Sequence, residues 1–192
     1  MIHNILKGKM VVLASASPRR VEIFKLVGIK AIQMPSNLEE EMVYDNPRKL
    51  VQFHARNKAN VIKKQFENDH IVIGADTIVY HNNEILEKPV DIYQAAEYLS
   101  RLSDSYHYVY TGVAIAYKNQ IITDYEKTRV EFESLSAREI EEYIKTKEPL
   151  DKAGAYGIQG FGSQFVKKIG GCYFNVMGFP VPLFYRMLKK IL

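Results

Sequence analysis

Apolar residues in this chain fall into short blocks, and the spacing inside each block changes along the sequence. Met10 to Ala14 is an unbroken apolar run, the pattern of a buried strand. Ser17-Pro18 follows as a helix start, because serine caps exposed N–H groups and proline suits the first helical position. Val21, Phe24 and Val27 recur on one helical face, and Gly28 supplies a stop. Asn46-Pro47 opens a second helix, with Val51, Ala55 and Ile62 at helical spacing. Lys58 lies on that same face. A lysine there either runs its stem along the core edge or aims its ammonium at a ligand.

Further on the apolar period shortens. Ile71 to Ala75 predicts a central strand with Asp76-Thr77 at its end. Ile78 to Tyr80 and Ile85-Leu86 flank an Asn82-Asn83 turn, as in a hairpin. Asp91 is placed to cap a helix running to Leu102. Tyr106 to Tyr117 and Ile121 to Phe132 are long β-rich segments joined by Lys118-Asn119-Gln120. Ser136-Ala137-Arg138-Glu139 spells a capping box, with Leu135 and Ile140 as its staple. Glycines recur from Gly154 to Gly162, marking a loop where backbone comes close to something. Phe165 to Ile169 and Cys172 to Val176 predict another hairpin about Gly170-Gly171, and a closing helix begins near Pro180 or Pro182. Strands and helices alternate early and antiparallel ribbons come later, which predicts an α/β fold with a mixed sheet.

Composition narrows the classes. A length of 192 residues suits one domain or two closely packed lobes, and 47% hydrophobic with 25% charged residues excludes disorder for most of the chain. The net charge of +4 points weakly to an anionic partner. No dense basic tract or interleaved aromatic repeat argues for nucleic acid, so an ordinary basic protein is the favoured reading. Cys172 is the single cysteine, which rules out an intrachain disulfide and fits a reducing compartment. Without a cysteine pair or His-x-x-x-His spacing, no structural zinc is suggested. The apolar runs are too short to span a bilayer, and Met1 to Lys9 lack the apolar stretch of a secretion signal. The expectation is a soluble, intracellular protein.

Four blocks carry candidate chemistry. "LASASPRR", beginning at Leu13, turns from strand to helix, where free N–H groups and a positive dipole end face outward. Ser15 and Ser17 add hydroxyls there, and Arg19 and Arg20 add permanently charged forks. Together they suit a polyphosphate, without being a P-loop. The competing reading is a capped surface helix with solvated arginines. In Gly74-Ala75-Asp76-Thr77 the aspartate suits a metal or a general base, or else an ordinary turn. Proline stiffens Glu87-Lys88-Pro89, so Lys88 either meets the same anion or is a plain surface lysine. The acidic run Glu39-Glu40-Glu41 is a solvated loop or the source of a second carboxylate for an oxygen-bound divalent metal. In the stretch from Glu148 to Gly160, Gln159 offers both donor and acceptor to a nucleobase edge, the alternative being a flexible loop. His54, His70, His81 and His107 have no companion nucleophile and read as structural or solvated; His3 sits at a frayed start, and Cys172 reads as core.

In order, "LASASPRR", "GADTIV" followed by "EKP", "YTGVAI" and "EPLDKAGAYGIQG" resemble the Maf family of nucleoside triphosphate pyrophosphatases, from Met10 to the C-terminus. The resemblance implies a metal-dependent hydrolase that cuts a nucleoside triphosphate to monophosphate and pyrophosphate. It implies an α/β fold like that of inosine triphosphate pyrophosphatases, with two lobes around a cleft. Members are cytoplasmic and often dimeric, so a cytoplasmic homodimer is expected. The family's proton acceptor matches Asp76, and its specificity positions match Arg19, Thr77 and Gln159. Its phosphate-meeting positions resemble Arg19, Arg20, Lys58 and Lys88, beside the Ser15 and Ser17 hydroxyls. Asp76 and Glu40 match the positions for Mg²⁺ or Mn²⁺, with Glu39 or Glu41 as alternatives to Glu40. "DKAGAYGIQG" is similar to the branch acting on dTTP and UTP, and a modified pyrimidine triphosphate also fits. The chain departs from the family near Gly162-Ser163-Gln164 and Cys172 to Asn175. Residues 1–9 are then an extension before a single Maf-like domain of 10–192. The rivals are a catalytically silent nucleotide-binding regulator and a nucleic-acid-binding protein.

Overall fold

A computed structural model describes residues 1–39, 41–66 and 69–192. After a short helix α1 (Ile2–Ile5), the apolar run becomes β1 (Val11–Ala14), buried at every position. Helix α2 (Pro18–Leu26) leads to β2 (Ile32–Gln33), and helix α3 (Pro47–Lys63) leads to β3 (Ile71–His81). β1 pairs in parallel with both β2 and β3. Parallel neighbours need such helical crossovers, which explains the early alternation. Next come β4 (Glu84–Leu86), α4 (Ile92–Leu102), β5 (Tyr106–Tyr117) and β6 (Gln120–Phe132). Helix α5 (Ala137–Lys145), three 3₁₀ turns, β7 (Val166–Gly170), α6 (Tyr173–Val176) and α7 (Val181–Ile191) complete the chain. The sheet has seven strands in the order β2-β1-β3-β5-β6-β7, with β4 antiparallel to β3 and β7 antiparallel to β6. It is the expected mixed sheet.

Two compact units divide the chain. The first comprises Met1–Asp76, Thr111–Glu126 and Gly178–Leu192; the second comprises Thr77–Tyr110 and Lys127–Met177. The first unit's core joins Val12, Ala55, Ile62, Val72 and Ala114. Phe24 of α2 meets Phe179 edge-on at 4.9 Å and stacks on Phe184 of α7. The second unit buries Val79, Leu99, Val109, Val130, Phe132 and Tyr156 together.

Local signals explain most element ends. Asn46 and Asp91 each accept two backbone N–H groups at the starts of α3 and α4, and the Ser136/Glu139 capping box is complete. Asn82 and Asn83 both take positive φ, as a two-residue hairpin turn between β3 and β4 demands.

Several expectations are corrected. Asp76-Thr77 does not end a strand: Val79 to His81 pair with β4, so β3 runs on to His81. Cys172 to Val176 forms no strand. Asn175 Nδ2 donates to Val109 O and Thr128 Oγ1, and the Cys172 N–H donates to Thr128 Oγ1, so side-chain bonds hold a helical turn there. Cys172 is half-buried at the start of that turn, and His3 lies within α1. On α2 the buried positions are Arg20, Ile23 and Phe24, while Val21 and Val27 are half-buried. An interleaved aromatic pattern does exist: Tyr106, Tyr108 and Tyr110 follow one another along one face of β5, with ring centroids 5.8 and 6.5 Å apart. Lys127 Nζ lies 3.6 Å over the Tyr108 ring and the Arg129 guanidinium 4.2 Å over that of Tyr106, so these charges are already engaged by ring faces.

Candidate active site

In the first unit the site grows from the carboxyl end of β1 and from the part of β3 just past its pairing with β1. β1 and β3 pair from Val11↔Ile71 to Ala14↔Gly74, so Ser15 and Asp76 emerge near the same edge. Ligands of open α/β sheets gather at such edges. Gly74 decides what covers it. A Cβ there would stand 2.1 Å from the Ala55 carbonyl oxygen and 2.8 Å from the Ala59 N, so only glycine lets α3 press this closely onto β3. Gly112 on β5 does the same for the preceding turn of α3, where a Cβ would stand only 2.2 Å from Val51 O.

That close approach carries Lys58 to Asp76. Lys58 Nζ donates to Asp76 Oδ1 at 2.8 Å and reaches Ala75 O at 3.5 Å. Both are buried, at 7% and 3% exposure. A buried carboxylate facing an ammonium is a fixed charge pair, and loss of either partner strands the other. Beside Lys58 opens a cavity of about 160 Å³ lined in part by Glu39, Glu41, His54 and Asn57. Two of the three loop glutamates thus reach the Lys58 neighbourhood, whereas Glu40 lies outside the described residues.

The serine–arginine turn is held from within. Ser15 Oγ accepts from the Ser17 N–H at 3.2 Å and from Arg20 Nη1 at 2.8 Å, while Arg20 Nε donates to Gly178 O at 2.9 Å. Gln33 Nε2 donates to Ser15 O at 3.1 Å. Ser17 takes the N-cap position without a side-chain cap bond. Arg20 is buried and works as a tie from this turn to the segment entering α7, while Arg19, next to it on the first turn of α2, is half-exposed.

Thr77, Lys88 and Gln159 belong to the second unit. Thr77 is half-buried, and Lys88 and Gln159 are exposed. The Gly154 N–H donates to Glu87 O at 3.1 Å, which fastens the glycine-rich loop to the strand exit that bears Lys88.

Sequence reasoning gave no role to Glu148, which organises the arc around Gln159. Its Oε1 accepts from Tyr143 OH at 2.9 Å and the Gly162 N–H at 3.2 Å, and its Oε2 accepts from the Phe161 N–H at 3.0 Å. Tyr143 OH in turn accepts from the Gly157 N–H at 3.2 Å. Burial pushes the Tyr143 hydroxyl well above its usual range, so it stays a donor to the carboxylate. The glycines of "AYGIQG" were the only available signal, and they show why the cradle exists: a Cβ at Gly160 would stand 2.6 Å from Glu148 Oε2. Of the histidines, His107 is fully buried, with Nε2 2.7 Å from Tyr156 OH. Burial, helped by His81, lowers its pKa to about 3, so it is a neutral structural group.

Among the described residues no three His, Cys, Asp or Glu side chains gather into a metal cage, and no helix is long and apolar enough to cross a membrane. Asp76 still suits a small hard cation, because Mg²⁺ commonly takes one or two carboxylates, with substrate phosphates and water filling the rest. Comparison with known proteins adds four findings. The family model described as Maf-like protein matches residues 10–191. A dTTP/UTP pyrophosphatase of Bacillus cereus (strain ATCC 10987 / NRS 248) is 46% identical over 183 residues, 95% of this chain and 90% of that one. A dTTP/UTP pyrophosphatase of Bacillus anthracis is 45% identical over 183 residues, 95% of each. Among solved structures, the Staphylococcus aureus Ham1 protein shares the fold, with a TM-score of 0.52 at 14% identity over 95% of this chain and 99% of that one.

Proposed function

The chain belongs to the Maf-like family, and from that premise we propose that it hydrolyses a nucleoside triphosphate, dTTP or UTP before others, to the monophosphate and pyrophosphate. The observation that carries the reading is the buried Lys58–Asp76 pair at the edge where the serine–arginine turn begins. A triphosphate packs several negative charges into a small volume, and water reaches its α-phosphorus only once that charge is met.

In this reading Asp76 takes the proton from the attacking water. Lys58 fixes the carboxylate's direction through its 2.8 Å contact and offsets its charge. Arg19 and the outer N–H groups of α2 receive phosphate oxygens, and Lys88 adds a second cation. Ser15 and Arg20 keep the turn in shape, and the Ser17 hydroxyl adds a further hydrogen-bonding group for the phosphates. Thr77 and Gln159 read the base, with Arg19 as the third specificity position. Asp76, with Glu40 from the acidic loop, would hold Mg²⁺ or Mn²⁺. When bound, the ion supplies charge neutralisation on the phosphates. A cytoplasmic homodimer belongs to the same proposal on the family resemblance alone, and sedimentation of the purified chain tests the dimer.

The deciding experiment is a nucleotide panel, including modified pyrimidines, assayed for pyrophosphate release with Mg²⁺ and after chelation. Mg²⁺-dependent release led by dTTP and UTP is expected. Binding of nucleotides without any turnover would replace the enzyme by a silent regulator.

A further inference from the structure

Gln159 is exposed on a turn rich in glycine, and nothing about an exposed glycine-rich turn fixes a side chain well enough to choose between bases. Here one carboxylate removes that freedom. Glu148 takes the Phe161 and Gly162 N–H groups directly, and the Gly157 N–H through the Tyr143 hydroxyl. The arc from Gly157 to Gly162 is thus closed at both ends on a single side chain, with Gln159 between them. The fit is close: the three atoms nearest a Cβ at Gly160 would all belong to Glu148, and a Cβ at Gly157 would stand 2.8 Å from Lys152 Cε, 2.9 Å from Gln159 O and 3.1 Å from Glu148 Oε1. Lys152 Nζ donates to the Glu148 carbonyl at 2.7 Å, which holds the backbone that carries the carboxylate.

We infer that Glu148 is the positioning residue for base selection: its carboxylate sets the arc that aims Gln159, and so governs which nucleobase is accepted without taking part in the hydrolysis. This rests on the proposed triphosphate hydrolysis with Gln159 as base reader. The chemistry is specific to a carboxylate. Every group turned toward Glu148 on this arc is a donor, and an amide that keeps one oxygen must point its NH₂ at a backbone N–H.

The test uses Glu148→Gln in the full chain, with folding checked by circular dichroism. The preference for dTTP over dCTP, as a ratio of kcat/KM, is expected to fall about 10- to 100-fold, the scale of one buried donor left unpaired. The loss is expected in KM for the favoured nucleotide rather than in kcat, with the least-favoured nucleotide unchanged. In Glu148→Gln/Gln159→Ala the preference is expected to fall no further than in Gln159→Ala alone, because both changes act through one contact. Faster amide exchange at Phe161 and Gly162 in Glu148→Gln is expected as well. An unchanged preference in the folded variant, additive losses in the double variant, or amides still protected would each overturn the inference. If Glu148→Gln does not fold, Tyr143→Phe removes only the hydroxyl link and is expected to lower the same ratio; no change there is equally fatal. A wild-type chain that hydrolyses no triphosphate removes the parent reading and this inference with it, whereas hydrolysis without base preference removes the inference alone.

Discussion

The two units hold their working side chains by opposite means. In the first, backbone presses on backbone: Gly74 admits α3 so closely that Lys58 and Asp76 meet below the surface. In the second, an irregular arc is gathered around one side chain, and the residue it presents stays exposed. The first arrangement cannot be adjusted without moving a helix. The second can be reshaped by a single side chain. Reaction chemistry that is the same for every triphosphate suits the rigid arrangement, and a choice among bases suits the adjustable one.

Substitutions that separate these roles sharpen the comparison. Asp76→Asn is expected to remove the proton acceptor while keeping an oxygen for Lys58, lowering kcat for every nucleotide by about 10²–10⁴-fold. Steady-state assays on a folded sample check it, and a loss confined to one base would break the division. Gly74→Ala forces a methyl against the Ala55 carbonyl and is expected to cost about 3 kcal/mol in urea unfolding. Gly170→Ala, whose methyl would find nothing nearer than 3.8 Å, serves as the control and is expected to leave stability near the wild type.

A smaller effect concerns pH. The folded pKa of His107 lies at about 3, below its ordinary 6.5, so the unfolded chain takes up the proton first. Stability is therefore full above pH 6.5 and declines as pH falls toward 3, by about 1 kcal/mol between pH 6.5 and 5.5. Denaturant melts across that window measure the slope. His107→Gln, which keeps a polar atom toward Tyr156, is expected to flatten it.

How far these features could be read in advance follows from the range of the forces behind them. The caps at Asn46, Asp91 and Ser136 and the Asn82-Asn83 turn are settled by neighbours within a few residues, and all are found where the spacing places them. The continuation of β3 beyond Thr77 depends on β4 returning to pair with it, and the helical turn after Cys172 depends on Thr128 and Val109, far away in sequence. Lys58 and Asp76 each carry a local hint, yet only the fit of Gly74 under α3 makes them a pair. Glu148 stands inside a block that could be singled out by its glycines, but its partners, from Tyr143 to Gly162, appear only once the loop is folded.

The placement of the reaction is tested most directly by hydrolysis of dTTP in ¹⁸O-enriched water, with both products weighed by mass spectrometry. If Asp76 delivers water to the α-phosphorus, the label is expected in dTMP and the pyrophosphate remains unlabelled. Label in the pyrophosphate, or orthophosphate as the first product, would contradict it.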